Sequence, residues 1–179
     1  LLRRRLHRER SNLIENNIRF RCIGDIDLLP KATRKEVDKT IEETANCTGM
    51  QLTFALSYGG QQEIVLAAKK FAEQVKSGAL KIEDLNEESF RSLLPSNFIP
   101  DPDLILRTSG ESRISNFFLW QAAYAEILVT PKMWPDFQIE DLQWALQKFY
   151  QTERRFGRIS EQLNRSVAES SLAKMKSLL

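Results

Sequence analysis

The 179-residue chain has one histidine and two cysteines, too few for a His/Cys metal centre. Cys22 and Cys47 are far apart along the chain and lack the short spacing of a zinc motif. Cys22 falls in an apolar run typical of a strand, which favours a reduced, buried thiol. The scarcity of these residues therefore excludes a His/Cys metal cluster.

Long apolar runs and a strong excess of one charge are also missing. The uncharged, mostly apolar run of residues 114–125 is too short to span a bilayer, and no apolar segment of the secretory type follows the arginine-rich start. The formal net charge of +2 gives no reason to expect broad binding to nucleic acid or to an anionic membrane. We therefore expect a cytoplasmic protein with at most peripheral membrane contact.

Short β-rich runs alternate with segments of helical periodicity. Strands are predicted at 18–23, 52–56, 104–106 and 127–129. Helices are predicted after Pro30, over Ile64–Val75, loosely over 87–94, from about Asn116, and after Asp136, which could cap the last one. This alternation predicts an α/β fold, a single domain with a mostly parallel central sheet flanked by helices. The polar tail, residues 158–179, is expected to be helical or disordered.

The segment after the third predicted strand carries the most chemistry. Arg107 ends that strand, a small polar turn follows, and Ser115 opens the next predicted helix just beyond Arg113. Ligands of open α/β sheets bind beyond the carboxyl ends of the strands, and helix amino termini and arginine side chains both suit phosphate. Two interpretations are equally open. The segment forms a diphosphate cradle, or Glu111 pairs with an arginine and Ser115 merely caps the helix.

Two further features allow a structural and a functional interpretation. Glu126 is the only charged residue between Arg113 and Lys132, so its carboxylate needs an arginine, backbone donors or a metal ion as partner. Structural pairing is the commoner case, but Mg²⁺ gains weight beside a diphosphate. The pair Gly59–Gly60 at a predicted strand end is either a plain turn or a place where the backbone approaches a ligand.

Residues 107–126, RTSGESRISNFFLWQAAYAE, closely resemble the signature of the cis-prenyltransferases, the family that includes bacterial undecaprenyl diphosphate synthase. Further blocks of that family are matched in the same order. They are Ile23-Gly24-Asp25 with Leu29-Pro30, Tyr58-Gly59-Gly60, Trp134-Pro135-Asp136-Phe137 and Glu153-Arg154-Arg155-Phe156-Gly157. The resemblance runs from about Leu2 to Gly157 and therefore covers most of the chain.

The resemblance implies a role for individual residues. Arg107, Arg113 and Ser115 would hold the diphosphate of isopentenyl diphosphate, and Glu126 would help bind Mg²⁺, directly or through water. The family works as dimers, and its Arg-x-Gly element, here Arg155-Phe156-Gly157, reaches toward the diphosphate site of the partner subunit. Residues 1–157 would thus be the C-terminal part of a cis-prenyltransferase domain that encloses a hydrophobic tunnel.

The implied function is cis-prenyl chain elongation. Isopentenyl diphosphate would condense with an allylic diphosphate such as farnesyl diphosphate to give a long-chain polyprenyl diphosphate. Undecaprenyl diphosphate, the precursor of the bacterial cell-wall lipid carrier, is the expected product. The resemblance also implies a Mg²⁺-dependent homodimer.

The chain departs from the family at three points. Ser57 stands where many members have Asn, and Ser112 lies at a position that varies, but neither difference weakens the resemblance much. The first strand of the family, with its Asp-Gly-Asn motif, and the helix after it have no counterpart here. Because the main catalytic Asp is expected in that segment, no catalytic residue is assigned and the 179-residue fragment is expected to be inactive.

Two other classes of function compete with this one. The chain could be a non-catalytic partner subunit, but such subunits usually lose the arginine-rich signature that is present here. A nucleic-acid-binding module would use the cluster between Arg3 and Arg10, which has no interleaved aromatic residues. We therefore expect no nucleic-acid partner, and an inactive fragment or partner subunit is the alternative to the enzyme.

Overall fold

The computed structural model describes residues 1–152, which form two compact units. Residues Leu1–Asp101 and Ile114–Gln121 make the first unit, and the second contains Pro102–Arg113 and the chain from Ala122 onward. Each unit has its own two-stranded parallel sheet. The predicted α/β class with parallel strands is therefore confirmed.

The first sheet pairs β1 (Arg19–Ile23) with β2 (Gln51–Ala55). Helix α1 (Leu2–Glu15) precedes β1, and α2 (Lys31–Glu43) connects the two strands. Phe20 is fully buried and meets the Phe54 ring edge-on at 5.1 Å between centroids. A parallel pair needs such a crossover helix, and its apolar face covers the sheet. The α1 and α2 side of the sheet thus forms the first hydrophobic core.

A second core lies between α3 (Gly60–Lys76) and α4 (Glu87–Leu93). Ala67 and Leu94 are fully buried or nearly so, and Phe90 packs against Trp120 at 4.8 Å between ring centroids. Trp120 comes from the separate stretch of chain, Ile114–Gln121, that belongs to the first unit. Burial of aromatic surface therefore helps to hold that stretch in place.

The second unit contains β3 (Leu104–Arg107), β4 (Glu126–Val129) and α5 (Ile139–Gln151). The prediction that Asp136 caps the last helix is wrong. Asp136 ends a short 3₁₀ turn, and Gln138 is the N-cap residue of α5, whose N–H donates to Asp141 Oδ2 at 2.9 Å. An N-cap accepts from an amide two or three residues later, which Asp136 is too early to reach.

The prediction of a core helix at this position is also wrong for the described part of the chain. The apolar side chains of α5 are largely exposed within residues 1–152, with Ile139 at 60% and Leu142 and Leu146 near 40%. Only Ala145 is buried among the residues of α5. The helix is amphipathic as its spacing predicts, but its apolar face has few contacts among the residues described.

The predicted apolar helix from about Asn116 does not form. Residues 114–125 run through turns, and Ser115, Asn116 and Phe118 have φ values of +49°, +61° and +47°. Left-handed residues cannot continue a right-handed helix, because their carbonyl groups point away from the helical ladder. The composition of this segment suits a helix, yet its side chains and backbone are used for contacts to other elements.

No helix within residues 1–152 combines the length and the apolar character that crossing a bilayer requires.

Cys22 is a free, half-buried thiol, and burial raises its pKa.

Candidate functional site

The two predicted arginines lie in one loop after β3, residues 107–113, which we call the arginine loop. Arg107 is the last residue of β3, and its Nη2 donates to Glu111 Oε2. The Nη2 of Arg113 donates to the other carboxylate oxygen, Oε1, at 2.5 Å. One carboxylate therefore joins both guanidinium groups, and the structural interpretation of Glu111 is confirmed.

The backbone of the arginine loop is fixed against the chain that follows β4. The Ser109 and Gly110 amides donate to the carbonyls of Lys132 and Thr130 at 2.7 and 2.9 Å. The Thr130 amide donates to the Arg107 carbonyl at 2.8 Å, which extends the strand pairing by one step. Since backbone donors and acceptors are satisfied inside the second unit, the loop has a defined conformation.

The charge balance of the arginine loop favours an anion. The hydrogen bond from Arg107 is the main reason that the pKa of the Glu111 carboxyl is lowered, and the charge of Arg113 adds to it. Two guanidinium cations around one carboxylate leave a net positive charge. Each arginine uses one nitrogen on Glu111, and the side chains are 30% and 69% exposed. Their other N–H groups can therefore bind phosphate oxygens.

Ser115 lies in the first unit and is exposed. Because no helix begins there, the predicted cradle of helix amides is wrong, and so is the alternative that Ser115 caps a helix. Its left-handed backbone turns the chain between Ile114 and Asn116. Ser115 thus offers a hydroxyl group on a turn, without the partial charge of a helix terminus.

Glu126 is not brought together with Arg107. In the parallel register Glu126 pairs with Leu104, whereas Arg107 pairs with Val129. Three residue steps separate the two positions by about 10 Å along the strands, and strand alternation directs their side chains to opposite faces. The structure therefore places Glu126 and Arg107 at opposite ends of the β3–β4 pair.

The carboxylates of residues 1–152 do not form a metal centre of their own. No group of three or more His, Cys, Asp or Glu side chains in this range could hold an ion. Glu126 has no side-chain partner among the described residues and offers one carboxylate. Mg²⁺ often binds one or two carboxylates plus substrate phosphates. The register places Glu126 too far from Arg107 for both side chains to hold the same phosphate group, one through Mg²⁺ and the other directly.

The remaining predicted site residues, Arg155 and Gly157, lie outside the described residues.

A cavity of about 320 Å³ opens in the first unit, at the carboxyl ends of β1 and β2. This is the edge where ligands bind in open α/β sheets. Its lining contains residues that follow β1, residues that follow β2, residues of the first turns of α3, and one residue that follows α4. They are Gly24, Asp25, Ser57, Tyr58, Gly59, Gln62, Glu63, Leu66 and Pro95.

One wall of this cavity contains a buried carboxylate that the sequence analysis missed. Glu63 is 4% exposed, and it accepts from the Tyr58 hydroxyl at 2.5 Å, the Gln121 amide at 2.8 Å and the Ser96 backbone N–H at 2.8 Å. Burial raises the pKa of Glu63, but these hydrogen bonds outweigh it and the pKa is lowered. Burial and the Glu63 hydrogen bond raise the pKa of Tyr58. A buried anion is thus held by neutral donors alone.

The amino terminus of α3 is capped from a distant part of the chain. Its N-cap residue, Gly59, has no side chain to accept the first amides. Asn116 supplies both acceptors instead, because its carbonyl accepts from the Gly60 N–H at 2.7 Å and its Oδ1 accepts from the Gln61 N–H at 2.9 Å. We call this pair of hydrogen bonds the Asn116 cap.

The Asn116 cap explains the glycine pair. A Cβ on Gly59 would lie 2.8 Å from Asn116 Nδ2, and one on Gly60 would lie 2.8 Å from Leu119 Cγ. Both distances are shorter than a carbon contact allows, so glycine is required for close approach. The backbone at this strand end is therefore approached by residues 116–119 of the same chain.

Comparison with known proteins identifies relatives over most of the chain. A family model described as "Putative undecaprenyl diphosphate synthase" matches residues 1–157. An isoprenyl transferase of Chlorobaculum tepidum is 47% identical over 169 residues, which are 94% of this chain and 64% of that protein. A ditrans,polycis-undecaprenyl-diphosphate synthase of Lactiplantibacillus plantarum, named as specific for (2E,6E)-farnesyl diphosphate, is 44% identical over 153 residues. That match covers 84% of this chain and 59% of that protein.

A solved structure shows the same fold. The lavandulyl diphosphate synthase of Lavandula x intermedia, in complex with dimethylallyl diphosphate, is similar with a TM-score of 0.85 and 35% identity. The similarity covers 88% of this chain and 68% of that one. The chain therefore spans about three fifths of the length of the two curated relatives and about two thirds of the solved structure.

The lowered pKa of Glu63 makes the stability of the chain dependent on pH. Above about pH 4.5, the ordinary value, the fold stabilises the carboxylate, and this contribution is lost as the pH falls through the lowered pKa. Glu63→Gln turns one acceptor into a donor that faces Tyr58 and Gln121, so we expect a loss of about 2 kcal/mol at pH 7. Thermal unfolding of both forms measures it.

The difference between Glu63→Gln and the parent chain should shrink as the pH falls below 4.5. Glu42→Gln is the matched control, since Glu42 is exposed on α2, and it should leave the unfolding temperature unchanged. A difference that is constant between pH 7 and pH 3 would contradict the assignment of a buried, ionised Glu63.

Proposed function

Because this chain belongs to the undecaprenyl diphosphate synthase family of prenyltransferases, we propose that it forms the part of a cis-prenyltransferase that binds isopentenyl diphosphate. The reaction joins the allylic carbon of a primer to the terminal carbon of the isopentenyl double bond. The primer's diphosphate leaves with the bonding electron pair, and loss of a proton from the isopentenyl unit forms the new double bond. Repetition of this step gives a long polyprenyl diphosphate, for which undecaprenyl diphosphate is the proposed product.

The observation that carries this proposal is the arginine loop. Arg107 and Arg113 are joined by Glu111, fixed by backbone hydrogen bonds, and partly exposed at the carboxyl end of a parallel strand. In the proposal these two arginines and Ser115 bind the diphosphate of isopentenyl diphosphate. The three side chains would orient isopentenyl diphosphate and neutralise the charge of its diphosphate. Both effects lower the activation barrier of the condensation when the reacting carbon atoms are aligned.

Mg²⁺ enters the proposal through the substrates. When bound, this ion would neutralise part of the charge of a diphosphate, and phosphate oxygens, water and one or two carboxylates would hold it. Glu126 stays the predicted carboxylate ligand from this chain. Because its register separates it from Arg107, no step of the reaction is assigned to it here.

The allylic partner and the assembly are also proposals. Farnesyl diphosphate is the proposed primer, because a 44% identical relative is named as specific for it. A homodimer is supported by the exposed apolar side chains of the second unit, including Trp134 at 72% and Ile139 at 60%. In such a dimer Arg155 and Gly157 are proposed to reach the diphosphate site of the partner subunit.

Removal of either arginine should weaken binding of isopentenyl diphosphate to the chain. Each charge-assisted hydrogen bond is worth roughly 1.5–3 kcal/mol, so Arg107→Ala or Arg113→Ala should raise the Kd by about 10- to 100-fold. Isothermal titration with isopentenyl diphosphate measures this change. Arg34→Ala is the matched control, because Arg34 lies on α2 and pairs with Asp27 and Asp38. Unchanged affinity in both arginine-loop variants, or no binding by the parent chain, would exclude the proposed site.

The 179-residue chain alone should not transfer prenyl groups. A chimera is the comparison, in which this chain is joined to the part of the Chlorobaculum tepidum relative that it does not match. Incorporation of radiolabelled isopentenyl diphosphate onto farnesyl diphosphate should require both the chimera and Mg²⁺, and chelation should abolish it. Product made by the 179-residue chain would refute the inactivity of the fragment. A folded chimera that never makes product would favour the alternative of a non-catalytic partner subunit.

The exposed apolar face of α5 should mediate self-association. Ile139→Glu together with Leu142→Glu places two charges on that face and should shift the sedimentation coefficient from dimer to monomer. Val65→Glu, at an apolar position 51% exposed on α3, should leave the dimer intact. A parent chain that sediments as a monomer at micromolar concentration would contradict the homodimer.

A further inference from the structure

Ser115 owes its conformation to contacts made by its neighbours in the first unit. Ser115 is exposed and left-handed, and Asn116 and Phe118 are left-handed as well. Such conformations are unfavourable for residues other than glycine, and they persist only where surrounding contacts determine them.

The Asn116 cap is the contact that is adjacent to Ser115. The backbone carbonyl and the side chain of Asn116 both bind the first amides of α3, at 2.7 and 2.9 Å. One bond constrains the backbone carbonyl of Asn116 and the other constrains its side-chain amide. Together they fix both the position and the orientation of this residue relative to α3. The turn that carries Ser115 is closed by a hydrogen bond from the Phe117 N–H to the Ile114 carbonyl at 3.1 Å, and the two Asn116 bonds attach this turn to the start of α3.

A second attachment lies at the other end of the segment. Gln121 donates to Glu63 Oε2 at 2.8 Å and to Ser96 Oγ at 2.5 Å, and all three residues are buried. Between the two attachments the Phe118 ring packs against Tyr58 at 5.7 Å. The first turn of α3 thus holds residues 116–121 at both ends, and only the Asn116 end adjoins a predicted substrate ligand.

We propose that Asn116 is a positioning residue, which places the Ser115 hydroxyl for the diphosphate by capping α3 at Gly60 and Gln61. The inference rests on the proposed function, since it assumes that Ser115 binds isopentenyl diphosphate. It goes further because it assigns a purpose to the cap and to the glycine pair. Asn116 touches no substrate in this proposal and acts through Ser115.

The test is a double-mutant cycle on the chain, with the Kd for isopentenyl diphosphate as the readout. Ser115→Ala and Asn116→Ala should each raise the Kd by about tenfold, equivalent to about 1.4 kcal/mol. The double variant should be no weaker than either single one, because Asn116 has nothing left to position once the hydroxyl is gone. Additive losses in the double variant would overturn the proposal.

Asn86→Ala separates positioning from simple loss of a helix cap. Asn86 caps α4 in the same unit by accepting from the Ser89 N–H at 2.9 Å. Removal of either asparagine should lower the Tm by about 3 °C, as the loss of one cap does. Only Asn116→Ala should raise the Kd, measured well below the Tm. Equal effects of the two variants on the Kd would refute the inference.

Asn116→Asp is the conservative variant that tests rescue. It keeps the Oδ1 acceptor and tolerates the left-handed backbone, so it should recover the Tm that Asn116→Ala loses.

The arginine variants distinguish failure of the proposed function from failure of the positioning role. If Arg107→Ala and Arg113→Ala leave the Kd unchanged, the proposed function fails. If they raise it while Asn116→Ala behaves like Asn86→Ala, only the positioning role fails.

Discussion

The amino terminus of α3 needs acceptors for its first amides, and that need shapes much of the first unit. The helix begins directly at the end of β2 behind a glycine, which cannot cap it with a side chain. Unpaired amides at a helix start are costly when they are shielded from water. Asn116 meets the need from a distant part of the chain, and its approach in turn requires both glycines. A short-range requirement of one helix thereby fixes a long-range contact.

The same contact explains why an apolar segment does not form a helix. A helical residue uses its carbonyl for the amide four positions later, whereas the Asn116 carbonyl is used for Gly60. Phe118 and Gln121 are then buried in the first unit. The free energy gained from these contacts must exceed that of local helical hydrogen bonds together with the cost of three left-handed residues. Tertiary contacts have overruled helix propensity here.

Glu63 shows a second way in which the first unit uses polar contacts in place of charge pairing. A buried carboxylate is costly unless donors replace its lost hydration. Three neutral donors from three separate stretches of chain supply that replacement. Loss of any one donor would leave the Glu63 carboxylate buried with fewer hydrogen bonds. The network therefore links the start of α3, the chain after α4 and residues 116–121, and moving any of them apart would cost the hydrogen bonds of a buried charge.

These two features mark the limit of what the sequence predicts. Periodicity located the four strands and most helices, because apolar spacing follows directly from which face is buried. The placement of Arg107 and Arg113 in one loop was predictable because a strand end and a short polar turn are both visible in the sequence, while their binding of a diphosphate stays a prediction. The partners of Asn116 and Glu63 were not, since a contact between residues 60 and 116 leaves no local pattern. The clearest signal for Glu63 was an acidic residue in the first turn of a helix with no basic residue four positions away.

The arginine loop and Ser115 differ in what holds them. Two adjacent guanidinium groups would repel each other, and Glu111 offsets that repulsion while one positive charge remains. The loop is therefore organised by contacts internal to the second unit. Ser115 is held by contacts internal to the first unit, at the start of α3. Each set of donors is therefore organised by hydrogen bonds within its own unit. Local hydrogen bonding in the arginine loop and in the Asn116 cap gives each donor a defined conformation.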